Sequence, residues 1–234
     1  PKSMPDASQV NMFLEDADDK NILWLATAKA VIRFNRTTES FDTMIESDSW
    51  GVYDDGNGYL WATTWGKGVA RLHKKSGKVD FLSHSPDDDN SVSGNVTVPI
   101  FRASDGRIWV GANNGLNLLD VSSGTFKRYS YNEGYHFNSI HSIGEDEKGN
   151  LWLGTAGGLG RFEPATGKAR IYTKEDGVQA SMFYALNGIR TEDGQMWFGG
   201  VKGMNSFFPD SLKDNPHKPS VRLTSFTQGG AEFP

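Results

Sequence analysis

The side chains best suited to chemistry in this 234-residue chain are a few histidines, carboxylates and tryptophans set among turns. His141 and Glu145 stand four apart, so on an extended strand they share a face. An imidazole beside a carboxylate is an acid–base pair. His136 is near in sequence and would add a third group toward a metal, but no set here has a recognised ligand spacing. The plainer reading, polar residues along an inner strand, is preferred. SPDDDNS (85–91) puts Asp87 and Asp89 two apart, as a calcium loop does. It lacks the glycine and the distal glutamate of such a loop, so it reads as a solvated loop. There is no Ser–His–Asp order, no phosphate-cradling glycine loop followed by a helix and no nucleophile elbow. The absence of cysteine excludes disulfides, thiolate–zinc sites and cysteine nucleophiles. No metal and no cofactor is implied.

Elements must hold these residues, and composition says which kind. The chain carries 27 glycines and 7 tryptophans, with 12% aromatic residues. Many turns with large apolar anchors indicate an all-β protein. The net charge is −5 without a basic tract, which argues against a nucleic-acid partner. No apolar run reaches the length of a membrane span, and no signal peptide is visible. The chain starts at Pro1 without an initiator Met and stops at Pro234, so it reads as a piece of a longer protein.

Five segments repeat. They are NILWLATAKAVIRF from Asn21, YLWATTWGKGVARL from Tyr59, RIWVGANNGLNLLD from Arg107, NLWLGTAGGLGRFE from Asn150 and QMWFGGVKGMNSFF from Gln195. Their tryptophans, Trp24, Trp61, Trp109, Trp152 and Trp197, recur at intervals of 37, 48, 43 and 45 residues. A period of roughly 40–50 residues is that of propeller blades. The fourth unit parses into SIHSIGED (139–146), LWLGT (151–155), LGRFE (159–163) and KARIYT (168–173), four strands joined by EKGN, AGG and PATG turns. The expected fold is therefore an all-β propeller of five four-stranded blades, at about 8–44, 49–84, 95–131, 139–173 and 183–208. Inner strands fall near 9–16, 49–55, 95–104, 139–146 and 183–192. Each repeated tryptophan should pack between neighbouring blades. Residues 209–234 read as a proline-rich linker and either the start of a following domain or a closing strand, VRLTSFT (221–227).

The pattern D-x-x-G-x-(L/I/M)-W-x-G-T-x-x-G-(L/V) is carried by Asp105, Gly106, Trp109, Gly111 and Gly115 in unit three, and by Gly149, Trp152, Gly154, Thr155 and Gly158 in unit four. These units resemble the two-component regulator propeller repeat. The first unit departs most, with Ala26, Lys29 and Ala30 in place of the small-residue turn. The resemblance implies an extracytoplasmic, periplasmic sensor region of a hybrid histidine kinase or membrane diguanylate cyclase, with further blades upstream. Downstream partners would be an immunoglobulin-like domain and signalling domains of the same chain.

Function on such a scaffold concentrates in loops. In a propeller the outer-to-inner connectors share a face with the second–third strand turns. That face should hold Trp65, Lys67, Asn95, Asn113, Asn114, Tyr135, His136, Asn138, Tyr184 and Lys202, with connectors 84–95, 130–139 and 174–183. Trp50 joins Trp65 outside the repeat register. Amides and aromatic rings together suit a small polar ligand such as an oligosaccharide. Two other classes stay open. One is a lyase or hydrolase using His141 and Glu145, as streptogramin-lyase propellers use histidine and glutamate. The other is a protein-interaction platform. The ends of an incomplete ring would either close imperfectly or self-associate into a homodimer.

Overall fold

The computed structural model describes residues 4, 9–179, 182–212, 226–228 and 231–233. Blade one is Val10–Glu15 (β1), Ile22–Thr27 (β2), Val31–Asn35 (β3) and Ser40–Ile45 (β4). Blade two is Ser49–Asp54 (β5), Tyr59–Thr64 (β6), Val69–His73 (β7) and Val79–Leu82 (β8). Blade three is Thr97–Arg102 (β9), Ile108–Ala112 (β10), Gly115–Asp120 (β11) and Thr125–Ser130 (β12). Blade four is Ile140–Glu145 (β13), Leu151–Thr155 (β14), Leu159–Glu163 (β15) and Lys168–Tyr172 (β16). In each, the strands pair antiparallel in chain order. The five inner strands lie where the repeat puts them.

Blade five differs from the four-strand expectation. Phe183–Arg190 (β17), Met196–Gly200 (β18) and Gly203–Phe207 (β19) form a three-stranded sheet. Of VRLTSFT, residues 221–225 lie outside the described residues. The last two belong to Phe226–Gln228 (β20), which pairs with Ala231–Phe233 (β21) rather than with β19. The reading of 209–234 as a linker and a new domain otherwise falls outside the described residues.

The core is not inside the blades but between them. Trp24 belongs to a cluster shared by blades one and two. Trp61 is in the cluster of blades two and three, Trp109 in that of three and four, and Trp152 in that of four and five. These four indoles are at most 2% exposed, whereas Trp197 is only half-buried. The first four repeated tryptophans thus anchor their blades to the next one, while Trp197 has no such junction among the described residues, and burying such a ring removes about 150–250 Å² from water. Inner strands pack in the order β1, β5, β9, β13, β17, and no comparable packing joins β17 to β1 among the described residues. The end faces are correspondingly open: Phe13 is 71% exposed on β1, and Ile189 is 60% and Met204 65% exposed in blade five.

The motif positions have distinct local causes. Gly149 sits at φ 76° in the first–second turn, where a side chain would be strained. The glycine two after the tryptophan leaves room for the next inner strand: a Cβ on Gly154 would meet Ser142 Oγ at 2.3 Å and Phe183 Cβ at 3.0 Å. An aspartate six before the tryptophan, or eight before it in unit one, closes the turn. Asp146 accepts the backbone N–H of Lys148 and Asn150, both at 2.9 Å, and the Trp152 indole N–H at 2.9 Å. Asp55 plays this part for Trp61 at 3.2 Å and Asp16 for Trp24 at 2.8 Å. Asp105 does not. It stands four before Trp109 and binds Arg107, while Ala103 occupies the turn-closing position and Trp109 Nε1 is buried without a partner. In unit one, Thr27 Oγ1 donates to the Ala30 carbonyl at 2.8 Å, as Thr155 does to Gly158 at 2.8 Å, so the turn survives the loss of its glycines.

All five inner strands have a register shift near the same end. A bulge re-aims a side chain. Asn11 donates from its bulge to the Ser49 carbonyl of the next inner strand at 2.8 Å. His141, at the equivalent place, is 2.7 Å from the Phe183 carbonyl through Nδ1.

Candidate functional site

The connectors and the second–third turns meet on one face. Ser83 Oγ donates to the Lys67 carbonyl at 3.0 Å, the His84 N–H to Asn95 Oδ1 at 2.7 Å, and Asn114 Nδ2 to the Ser93 carbonyl at 3.1 Å. On this face, at blade three and between the connectors that enter and leave it, a cavity of about 360 Å³ opens, lined by His84, Ser93, Asn113, Asn114, Arg128, Ser130, Tyr131, Asn132, Phe137 and Asn138. Its volume is within the range of small-molecule sites, roughly 300–1,000 Å³.

Three segments build it. The first is connector 83–96. Val92 is fully buried in blade three, and Ser93 is clamped by the buried Asn117, whose Oδ1 accepts the Ser93 N–H at 2.8 Å while its Nδ2 donates to Ser93 Oγ at 3.0 Å. Gly94 has no Cβ because one there would lie 2.1 Å from Asn113 Oδ1. The second is the turn holding Asn113 and Asn114. The third is connector 130–139, which begins as a single 3-10 turn at Tyr131–Glu133. There Glu133 reaches back to accept the Ser130 N–H at 2.8 Å and the Ser130 hydroxyl. Phe137 then tucks into the core, 3% exposed, and leaves Tyr131, 71% exposed, beside the opening.

Of the ten residues expected to bind ligand, Asn113, Asn114 and Asn138 line this cavity. His136 stands at its edge, its ring 5.1 Å from that of Tyr131. Tyr135 is drawn into the aromatic cluster of the blade three–four core, 5.3 Å from Tyr129 and 5.8 Å from Phe162. Asn95 serves the backbone, accepting from His84 and, through its carbonyl, from Gly66 and Gly68. Trp65, 56% exposed, has its ring tilted by 39° to that of Trp50 with centroids 5.9 Å apart, and Lys67 lies over Phe81 at 4.9 Å, both on blade two. Tyr184 and Lys202 are exposed on blade five. Near Trp50, Asp48 has one carboxylate oxygen buried without a partner, and burial raises its pKa above the ordinary value.

His84 and Arg128 are the charged or titratable lining groups that a reading of the turns does not single out. His84 lies inside a long connector and its Nδ1 is 2.8 Å from the Val92 carbonyl. Arg128 is on an outer strand, where alternation alone suggests solvent. Connector 85–91 folds over it instead, leaving its side chain 9% exposed.

His141 and Glu145 do not meet. They sit at opposite ends of β13, about 13 Å apart at the rise of a strand, and the bulge at His141 breaks their shared parity. His141 binds the Phe183 carbonyl and, at 3.1 Å, Ser139 Oγ. Glu145 accepts the N–H and hydroxyl of Ser104 at 2.7 and 2.9 Å. Among the described residues no group of three or more His, Asp or Glu has metal-holding geometry.

The family model of the two-component regulator propeller matches residues 134–157. That stretch carries one copy of the two-component regulator propeller repeat. The matched stretch runs from the second wall of the cavity through β13 to the Trp152 anchor. Histidine kinase P4 of Formosa agariphila is 25% identical over 247 residues, an alignment that covers 85% of this chain and 18% of the kinase. This chain therefore spans under a fifth of that curated relative. Two solved extracellular domains, each from a protein described as a hybrid two-component system of B. thetaiotaomicron, share the fold. One has a TM-score of 0.68 at 19% identity, covering 88% of this chain and 27% of that one. The other has a TM-score of 0.57 at 19% identity, covering 95% and 38%. Among the described residues no helix is long and apolar enough to cross a membrane.

Proposed function

We propose that this chain is a non-catalytic, periplasmic sensor module of a histidine-kinase signalling protein, and that it binds a small polar ligand, an oligosaccharide, in the cavity at blade three. The observation that carries the reading is the make-up of the cavity. Four asparagine side chains, two serines and the exposed ring of Tyr131, from blade three and the two connectors that flank it, converge on it. Amides meet hydroxyls, and the ring of Tyr131 offers an apolar face. Because the lining comes from blade three and from the connectors to blades two and four, a ligand that fits one placement of these segments better than another shifts the balance between the two. The likeness to a histidine kinase and to extracellular domains of two-component systems supports the setting. Immunoglobulin-like and signalling domains further along the parent protein would receive the change.

The lyase or hydrolase alternative loses its support in the separation of His141 from Glu145. Interaction with another protein, including a second copy, is favoured at a different place by the exposed Phe13, Ile189 and Met204 of the end blades.

A panel of soluble oligosaccharides tested on this chain by calorimetry checks the reading. At least one should bind, and Asn114→Ala and Asn138→Ala should each weaken it about tenfold, the loss of roughly 1–1.5 kcal/mol per hydrogen bond. Trp65→Ala should leave it unchanged. Binding that is lost with Trp65 and kept with Asn114→Ala, or no binding to any saccharide, overturns the proposal.

A further inference from the structure

The cavity holds one permanent charge, and that charge is incompletely matched. Arg128 Nε donates to the Ser91 carbonyl at 2.7 Å. Its Nη2 donates to the carbonyls of Ser85 at 3.1 Å and Asp88 at 2.5 Å, and to Ser91 Oγ. These are neutral acceptors. They fix the guanidinium in place and leave its charge uncancelled. Nη1 has only the Asp89 carboxylate, at 3.7 Å, and Asp89 is fully exposed. A contact of that length to a solvated carboxylate contributes little. The Asp88 carboxylate accepts the Asn90 N–H at 2.9 Å, and that of Glu133 is turned onto Ser130. No aspartate or glutamate lines the cavity. His84 faces the same space. Its Nδ1 points to a carbonyl, which only accepts, so that nitrogen carries a proton and Nε2 is left for a ligand.

A guanidinium whose side chain is nine-tenths buried, held by carbonyls and with one edge toward a polar cavity, is a preorganised oxyanion receptor. Its fork geometry matches carboxylate and sulfate, and its ordering cost is already met within the fold. From these observations we infer that the ligand of this cavity is anionic: a saccharide carrying an oxyanion, as a uronate carboxylate or a sulfate ester, seated against Arg128 Nη1 with His84 Nε2 and the asparagine amides taking its hydroxyls. The inference rests on the cavity's being the ligand site, and it adds the charge.

The test has one arm that needs no saccharide. The 15N-labelled chain is titrated with sodium sulfate against sodium chloride at equal ionic strength, and the Arg128 Nε–H and the Asn114 and Asn138 side-chain amides are followed. A saturable shift with a millimolar midpoint is expected. Asn138→Asp, isosteric at a side chain with no hydrogen bond to lose, puts a negative charge in the cavity without touching the bonds of Arg128. It should weaken sulfate at least fivefold. A shift that grows linearly to 50 mM, or one unaffected by Asn138→Asp, overturns the inference. The second arm compares a galacturonate trimer, a sulfated galactose trimer and the uncharged galactose trimer by calorimetry, and distinguishes the two anion sources. Tighter binding of either acid by tenfold or more is expected. Equal binding of the neutral sugar overturns the anionic assignment and leaves the sugar site standing. Sulfate binding with no saccharide binding overturns the sugar site and leaves an anion receptor.

Discussion

Two junctions, one between two blades and one between a blade and a connector, each hold a buried cation, and they complete it differently. Between blades one and two, Lys74 Nζ lies 2.7 Å from Asp18, 2.7 Å from Asp54 and 3.2 Å from Asp16. Burial works against the ammonium, but hydrogen bonds to Asp18, Asp54 and Asp16 outweigh it and hold its pKa above the ordinary value. Burial also pushes Asp16 upward. The Asp18 N–H, the Trp24 indole, the Asp19 N–H and Lys74 together overcome that and leave its pKa lowered. Every partner is protein, and the junction is closed. Where connector 85–91 folds over blade three, Arg128 is held by carbonyls and one loose, solvated carboxylate, and the space beside it is open. The first arrangement stabilises the fold. The second leaves interaction energy for a ligand. A buried cation marks a binding site only where its counter-charge is missing from the protein.

The largest effect expected at the closed junction is that of Lys74→Met. It strands the carboxylates of Asp54 and Asp16, whose side chains are 3% and 7% exposed. Removing one partner of a buried pair costs about 3–5 kcal/mol, measurable by urea unfolding. A loss under 1 kcal/mol would break the contrast between the two junctions.

Trp152→Ala should cost a similar amount, about 3–5 kcal/mol, because it empties a packed blade junction. Trp197→Ala should cost less than half of that, since its ring is only half-buried. Equal losses in thermal unfolding would show that the last blade is as enclosed as the middle ones.

Ala103→Asp sharpens the comparison from the other side. The turns at Ala103 and Asp146 share backbone bonds: Ala103 N–H to the Arg107 carbonyl matches Asp146 N–H to that of Asn150. An aspartate at 103 gives the Trp109 indole its missing acceptor and should add about 1 kcal/mol. Asp146→Ala should lose about 1–3 kcal/mol by orphaning the Trp152 N–H. Destabilisation by Ala103→Asp would contradict the account of the motif.

The smallest effects are those of pH. Asp16 has a folded-state pKa below its unfolded value, so its contribution is present above about pH 4. That contribution is lost as pH falls through the lower folded value. In Lys74→Met, which removes one of the causes of that lowering, the acid limb of the stability profile should shift upward in pH. Asp48 has the opposite sign. Its folded pKa is raised, so stability declines as pH rises from the unfolded value through the folded one. Asp48→Asn should therefore raise the melting temperature slightly at pH 7 and leave it unchanged near pH 3.

The blades were legible in the sequence because their signals are local. A tryptophan, a turn glycine two to three residues before it and a small residue two after it all report on one hairpin and its neighbour. The turn-closing aspartate was misplaced in unit three for a physical reason. Asp105 is also a turn residue, but it caps Arg107 instead of the indole, and spacing alone cannot tell the two roles apart. The amides at Asn113, Asn114 and Asn138 were within reach because their place follows from topology. Arg128 was not: its burial depends on residues about 40 positions earlier folding over it. Tyr135 and Phe137 show the same limit, since two aromatics in one connector both turn inward and the exposed ring is Tyr131.

The central claim is that the cavity at blade three, rather than the tryptophan pair of blade two, is where this module meets its ligand. Amide hydrogen exchange of the chain with and without the tightest saccharide of the panel tests it most directly. The account predicts slowed exchange in 84–96, 113–114 and 130–139, and none around Lys74 or Trp65. Protection centred on Trp50 and Trp65, or spread evenly over the five blades, would contradict it.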